Sequence, residues 1–124
     1  MIELIGLYKS FKGQSVLKGA DLLIPTGKIV TVVGKSGCGK SVLVKHIMGL
    51  LRPDAGQVLI DGIDITKLEL AELDRIREKL GVLFQGGALF DSMTVEENVA
   101  FPLKEKTKLN KAEIHDRVMR ALED

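Results

Sequence analysis

Gly34-Lys35-Ser36-Gly37-Cys38-Gly39-Lys40-Ser41 decides the fold predicted for this chain, because it matches the pattern G-x-x-x-x-G-K-[ST]. Glycines permit positive φ angles and let backbone N–H groups approach an oxyanion closely. A helix that begins near Lys40 would add its unpaired N–H groups and the positive end of its dipole. The segment therefore predicts a polyphosphate-binding loop between a strand and a helix.

Two side chains of this loop are expected to act on a nucleotide directly. Lys40 supplies a charge for the β- and γ-phosphates, and the Ser41 hydroxyl is placed to bind Mg²⁺. Cys38 is interpreted as a small loop residue rather than a reactive thiol. The complete set of predicted phosphate contacts is Gly34, Lys35, Ser36, Gly37, Cys38, Gly39, Lys40, Ser41 and Val42.

The residues on either side of the loop provide the strand and helix that this motif requires. Ile29–Val33 is an apolar run with little polar interruption, typical of a strand buried on both faces. The apolar residues after Lys40 recur at helical spacing until Arg52-Pro53: Leu43, Val44, Ile47, Met48 and Leu51. A glycine-rich turn without a ligand is the alternative, and this context disfavours it.

Further elements follow from the same patterns. Strands are predicted at Ile2–Leu7, Val16–Ile24, Gly56–Ile60 and Leu80–Phe84, with a hairpin turn at Asp61-Gly62. The predicted helices are a short one marked by Leu70, Leu73 and Ile76, one from the capping box at Thr94 to Pro102, and a last one capped by Asn110, with the stripe Ile114, Val118, Ala121 and Leu122.

The bulk composition narrows the class of partner. The 124 residues fit one domain or part of one, and 18 basic against 17 acidic side chains leave a net charge of +1, without a basic surface for nucleic acid. A single cysteine implies no disulfide, and no apolar stretch reaches the ~20 residues that span a bilayer. We expect a cytoplasmic protein that binds no nucleic acid and does not itself insert into a membrane.

A phosphate loop alone does not separate the classes of nucleotide-binding protein. Asn110–Glu113 is one residue from the guanine-recognition motif N-K-x-D, but Glu replaces Asp and Lys106–Leu109 is no buried strand, so a GTPase is disfavoured. A small phosphoryl-transfer kinase needs a mobile lid with arginines, whereas Arg75, Arg77, Arg117 and Arg120 lie on predicted helices. A non-catalytic regulatory module that binds nucleotide is the third alternative.

The order of the segments resembles the nucleotide-binding domain of ABC transporters across essentially all 124 residues. Gly27-Lys28, the phosphate loop, Leu50–Gly56 and Gly56–Ile65 follow the family's order, and Gly81–Gln85 resembles the strand that delivers its Q-loop glutamine. The resemblance implies an α/β fold, a P-loop NTPase with a RecA-like core and an N-terminal antiparallel β subdomain, incomplete here. Residues 1–124 would be the N-terminal part of one domain. Residues 94–124 would form roughly the first part of its helical subdomain, and the second half of the domain would be absent from this chain.

The resemblance also implies ligands and their contacts. ATP with Mg²⁺ is the expected ligand, and Gln85 would contact Mg²⁺ together with Ser41. The aromatic residue that stacks on adenine corresponds best to Phe11, although Tyr8 lies three residues away.

Phe84–Leu103 is similar to the ATPase subunit of MCE-type (Mla) transporters, which move phospholipids or related hydrophobic cargo. The implied partners are a second ATPase subunit and a membrane permease that contacts the region after Gln85, at the inner face of the cell membrane. Leu89, Phe90 and Met93 either line that contact or belong to the core of the domain.

Several catalytic features of the family have no counterpart here. There is no L-S-G-G-Q signature and no Walker B strand that ends in Asp-Glu, since Val58–Asp61 is followed by Gly62. His46 and His115 do not occupy the position of the switch histidine. We predict no catalytic residue in this chain; it should bind ATP better than it hydrolyses it, and whether it is an enzyme by itself stays open.

Overall fold

The computed structural model describes all residues, Met1–Asp124, which form two compact units, Met1–Gly81 and Val82–Asp124. The elements of the first unit are β1 (Ile2–Phe11), β2 (Gln14–Ile24), α1 (Lys40–Ile47), β3 (Ala55–Ile60), β4 (Ile63–Asp64), a 3₁₀ turn (Ile65–Lys67) and α2 (Leu70–Arg77). The second unit contains α3 (Val95–Lys106) and α4 (Lys111–Glu123).

The strands form one antiparallel sheet in the order β2-β1-β3-β4. Ile2 of β1 lies opposite Ile24 on one side and Ile60 on the other, which sets the register. Inward-facing Leu4, Leu7 and Val58 are at most 1% exposed and form the core beneath the sheet. This is the antiparallel β subdomain that the family resemblance implies.

The predicted hairpin at Asp61-Gly62 is confirmed. Both residues have positive φ, 49° and 83°, as a type I′ turn requires. The N-terminal ammonium of Met1 donates a hydrogen bond of 2.7 Å to Asp61 Oδ1 and lowers the pKa of that carboxyl below its ordinary 3.8. The turn is therefore tied to the start of β1.

Helix α1 is shorter than predicted. It ends at Ile47 instead of Arg52-Pro53, because Gly49 adopts a left-handed φ of 69°. The N–H of Gly49 donates to His46 O and that of Leu50 to Lys45 O, the two bonds of a Schellman motif. In the predicted stripe Leu43 is buried but Val44 is 46% exposed, and His46 is buried instead.

The strands predicted at Ile29–Val33 and Leu80–Phe84 are wrong for this structure. Neither segment has strand structure, and Ile29 is 98% and Leu83 86% exposed. A strand needs a neighbour that pairs with its N–H and C=O groups. All the paired strands of this chain belong to the β2-β1-β3-β4 sheet, and none of them pairs with these segments.

Thr94 and Asn110 cap the two helices after Gly81 as predicted, but the capping box at Thr94 lacks its return bond to Glu97, and the predicted stop is not observed. Thr94 Oγ1 accepts from Glu97 N at 3.1 Å, and Asn110 forms a full capping box with Glu113. The predicted end at Pro102 is wrong, since α3 continues to Lys106. The helix ends four residues later, where Thr107 donates from its N–H and its hydroxyl to Leu103 O.

The two helices pack through a small core of their own. Its buried members are Ala100, Ile114 and Val118. No helix in the chain combines the length and the apolar character needed to cross a membrane.

Gly56 tests the packing of β1 on β3. Its φ is 97°, and a Cβ there would clash with Gly6 O and lie 2.6 Å from Ile5 O. Gly62→Ala is the matched control, because its φ of 83° imposes a similar conformational strain in open space. We expect Gly62→Ala to cost about 1–2 kcal/mol and Gly56→Ala about 1–3 kcal/mol more, measured by urea unfolding. Equal losses for the two variants would contradict the packing described.

Candidate phosphate-binding site

The loop at Gly34–Ser41 has the backbone geometry that its glycines predict. Gly37 and Gly39 have φ of 78° and 102°, a region that residues with a Cβ rarely adopt. The N–H of Cys38 donates to Lys35 O at 3.2 Å, closing a turn within the loop. Residues 34–38 are exposed, so the loop presents its backbone to solvent.

Gly39 converts this loop into the start of α1. Its carbonyl accepts from Leu43 N at 2.9 Å, the first bond of the helix. Because glycine has no side chain to cap the helix, and no acidic residue lies in the first turn, the first N–H groups are left for an outside acceptor. This helix end is suited to an anion.

Lys40 places its charge inside the loop. Its Nζ donates to the carbonyl oxygens of Gly34 and, at 3.5 Å, of Lys35. Neither acceptor is a carboxylate, so the ammonium has no counter-ion among its hydrogen-bond partners. A phosphate oxygen that entered the loop would supply one.

Gly34 and Cys38 pack against each other across the loop. A Cβ added to Gly34 would lie 2.5 Å from Cys38 Sγ, so a larger residue at 34 would displace the cysteine. The Cys38 thiol is free and exposed.

The hairpin of β1 and β2 lies against the loop, which the sequence analysis missed. A Cβ at Gly39 would be 3.1 Å from Val16 Cγ1 and 3.5 Å from Leu17 Cδ2. No local pattern reveals this contact, because Val16 and Gly39 are 23 positions apart. It places the strand that follows Phe11 beside the helix start.

Phe11 and Tyr8 differ in what their rings contact. Tyr8 covers Gly19, whose added Cβ would lie 3.0 Å from the Tyr8 hydroxyl. The Phe11 ring is 40% exposed at the end of β1, with Lys9 Nζ 5.4 Å from its centre. Tyr8 is 51% exposed, so exposure alone does not separate the two rings, and the adenine role of Phe11 stays a prediction.

Gln85 belongs to the second compact unit, whereas Ser41 belongs to the first. Gln85 is exposed in a turn, and the next three residues, Gly86, Gly87 and Ala88, have φ of 84°, 82° and 54°. Their shared Mg²⁺ contact therefore stays a prediction.

Asn98 organises the loop after Gln85, which the sequence analysis also missed. Its Oδ1 accepts from Phe90 N at 2.8 Å, and its Nδ2 donates to Thr94 O at 2.9 Å and lies within 3.3 Å of Phe90 O and Met93 O. The Phe90 ring packs 4.9 Å from that of Phe101. These contacts reach up to eight positions back along the chain, into a segment without regular structure, so no helical or strand period predicts them.

Leu89, Phe90 and Met93 are predicted either to contact a permease or to belong to the core of the domain. Two of them are exposed and one is partly buried. Leu89 is 70% and Phe90 48% exposed, while Met93 is intermediate. None belongs to the buried core of this unit.

The two histidines each contact a group of their own compact unit. His46 is 1% exposed, with Nδ1 donating to Val42 O at 2.7 Å, and His115 pairs with Glu96 at 2.6 Å.

Comparison with known proteins agrees with this geometry. The family model described as ABC transporter matches residues 17–124. A probable ribonucleotide transport ATP-binding protein of Mycobacterium leprae is 49% identical over 98% of this chain and 35% of its own length. The intermembrane phospholipid transport system ATP-binding protein MlaF of Escherichia coli is 41% identical over 89% of this chain and 41% of its own length. The chain thus spans about a third to two fifths of these curated relatives.

Solved structures share the fold. The ATP-binding cassette MJ0796, in a dimeric post-hydrolysis state bound to ADP and Pi, has a TM-score of 0.87 and 35% identity, covering 99% of this chain and 56% of that one. The cassette cbiO1 of Clostridium perfringens, part of an ABC transporter complex, has a TM-score of 0.84 and 31% identity, covering 98% of this chain and 49% of its own. The chain belongs to the ABC transporter family, as an N-terminal part of its ATP-binding domain with the P-loop NTPase fold.

Proposed function

We propose that this chain binds ATP with Mg²⁺ through Gly34–Val42, as part of the ATPase subunit of an ABC transporter. The observation that carries the proposal is the uncapped start of α1 beside the Lys40 ammonium, whose hydrogen-bond partners are neutral carbonyls. Positive partial charges and a full charge converge on one exposed loop, and a polyphosphate is complementary to both.

Binding would exchange one set of Lys40 partners for another. The β- and γ-phosphate oxygens would replace the carbonyls of Gly34 and Lys35, and the backbone N–H groups of the loop would donate to the same phosphates. The Ser41 hydroxyl, exposed in the first turn of α1, fits a Mg²⁺ ligand. Mg²⁺ when bound would neutralise phosphate charge, and Gln85 is proposed as its second protein contact.

The adenine is proposed to stack on Phe11. The Phe11 ring is exposed because Phe11 lies at the end of β1, next to the hairpin turn. Val16 of the same hairpin lies against the start of α1. One hairpin would therefore serve both the base and the phosphate loop. ATP is preferred to GTP in this proposal because the family is an ATP-binding one.

The energy of ATP would be used by a membrane permease that contacts the loop after Gln85, with two ATPase subunits in the working assembly. Exposed Leu89 and Phe90, of which Phe90 is hydrogen-bonded to Asn98, offer an apolar contact for it. Lipid is the proposed cargo, supported by the similarity of Phe84–Leu103 to MCE-type subunits and by MlaF at 41% identity. A putrescine transport protein at 42% and the ribonucleotide protein at 49% make those cargoes the alternatives.

Lys40→Ala should remove most binding of Mg-ATP, because the phosphates lose their counter-ion. We expect a loss of about 10- to 100-fold in affinity by calorimetry, as for one to two charged hydrogen bonds. Lys45→Ala is the control, since Lys45 is exposed on the same helix outside the loop. Equal affinity for wild type and Lys40→Ala would rule out the phosphate-loop assignment.

Phe11→Ala should weaken ATP about tenfold, the scale of one base-stacking contact. Tyr8→Ala is the matched control and should leave the affinity near that of wild type, because its ring covers Gly19 instead. Titration with a fluorescent ATP analogue measures both variants. The opposite ranking would assign the adenine contact to Tyr8.

A chimera tests the proposed cargo. The matched segment of MlaF is replaced by the corresponding part of this chain, and transfer of fluorescent phospholipid by the reconstituted Escherichia coli system is measured. We expect transfer well above that of the same chimera carrying Lys40→Ala. A chimera that assembles and hydrolyses ATP but moves no phospholipid would contradict the lipid proposal.

A further inference from the structure

Arg77, the last residue of α2, donates hydrogen bonds to the carboxyl end of α1. Its Nε donates to Met48 O at 2.9 Å and its Nη2 to Gly49 O at 3.0 Å. The third nitrogen, Nη1, pairs with Asp74 Oδ1 at 3.0 Å. Every nitrogen of the guanidinium is thus engaged, and its fork spans two successive carbonyls as only arginine can.

The two ends of α1 differ in the number of contacts that hold them. At the carboxyl end the Schellman bonds of Gly49 and Leu50 are joined by the Arg77 pair, and Leu73 packs so closely that a Cβ on Gly49 would be 2.7 Å from it. At the amino end there is only Gly39, without a cap. The end away from the ligand is held firmly, and the end facing it is left open.

This matters because α1 has only eight residues, about two turns. Helices this short do not hold their shape alone in water. If the carboxyl end frays, the single turn that remains carries the N–H groups meant for phosphate. A contact that prevents fraying at one end therefore orders the donors at the other.

We propose that Arg77 is a positioning residue for phosphate binding: it holds α1 so that Lys40 and the first-turn N–H groups are ordered before the nucleotide arrives. The conformational entropy of these groups is then lost when the chain folds and not when the nucleotide binds, so the affinity for the nucleotide is higher. The inference rests on the proposed function, since it concerns the affinity of the same loop. Arg77 itself touches no ligand in this scheme.

The test compares Mg-ATP affinity among variants at a temperature where circular dichroism shows all of them folded. We expect Arg77→Ala to bind about tenfold more weakly and Arg77→Lys to recover part of the loss, since an ammonium reaches one carbonyl in place of two. Asp74→Ala should have a smaller effect than Arg77→Ala. Arg75→Ala removes an exposed charge from the same helix and should bind as wild type.

A second control separates positioning from general stability. Val58→Ala opens the core under β3, where Val58 is fully buried; this core also contains Leu43 of α1, but the substitution removes no hydrogen bond at either end of the helix. It should lower the melting temperature yet keep the affinity of the folded chain. In Arg77→Ala, but not in Val58→Ala, the amide hydrogen of Leu43, the first to be bonded within α1, should exchange faster. Wild-type affinity in Arg77→Ala, complete recovery in Arg77→Lys, or equal losses in Arg77→Ala and Val58→Ala would overturn the proposal.

The two proposals fail in different ways. A wild-type chain that binds no Mg-ATP would overturn the proposed function. Amide exchange without nucleotide still reports on the Arg77 contact in that case, and unchanged exchange in Arg77→Ala would overturn the positioning role independently.

Discussion

The carbonyl of Gly39 accepts the first helical hydrogen bond of α1 while its backbone sits at a φ of 102°. That conformation allows the chain to pass from an exposed loop directly into a helix, with no side chain between the helix end and solvent. Val16 lies so near that even one added carbon would be 3.1 Å from it. Conformation and space both require glycine here, and the position of Lys40, Ser41 and the open N–H groups depends on it.

The other helices show what α1 lacks. Thr94 caps α3, Asn110 caps α4, and Glu72 returns a side-chain bond to the residue before α2. Only the helix after the glycine loop begins without such a bond. A side-chain cap usually stabilises a helix by about 1 kcal/mol. The missing cap at Gly39 therefore costs stability, and it leaves the first N–H groups of α1 open to an anion.

The sequence predicted what local geometry decides and missed what distant contacts decide. The glycine loop, the turn at Asp61-Gly62 and the cap at Asn110 depend on residues within a few positions, and the structure has each of them. The segment at Ile29–Val33 has the composition of a buried strand, but strand structure requires a partner that composition does not supply. Arg77 donates to carbonyls 29 and 28 positions away, and Asn98 bonds to groups up to eight positions away that lie before its helix. Neither set of contacts follows from a period in the sequence.

The two halves of the phosphate loop are consequently held by different means. Its second half continues into α1, which the hairpin and Arg77 hold from both ends. Its first half follows Ile29–Val33, an exposed segment that no strand pairs with, so the sheet does not fix it. The hydrogen bonds from Lys40 Nζ to Gly34 O and Lys35 O link this freer half to the helix. Lys40 therefore links the two halves of the loop, and in the proposed complex a phosphate that paired with its ammonium would also have to replace these two hydrogen bonds.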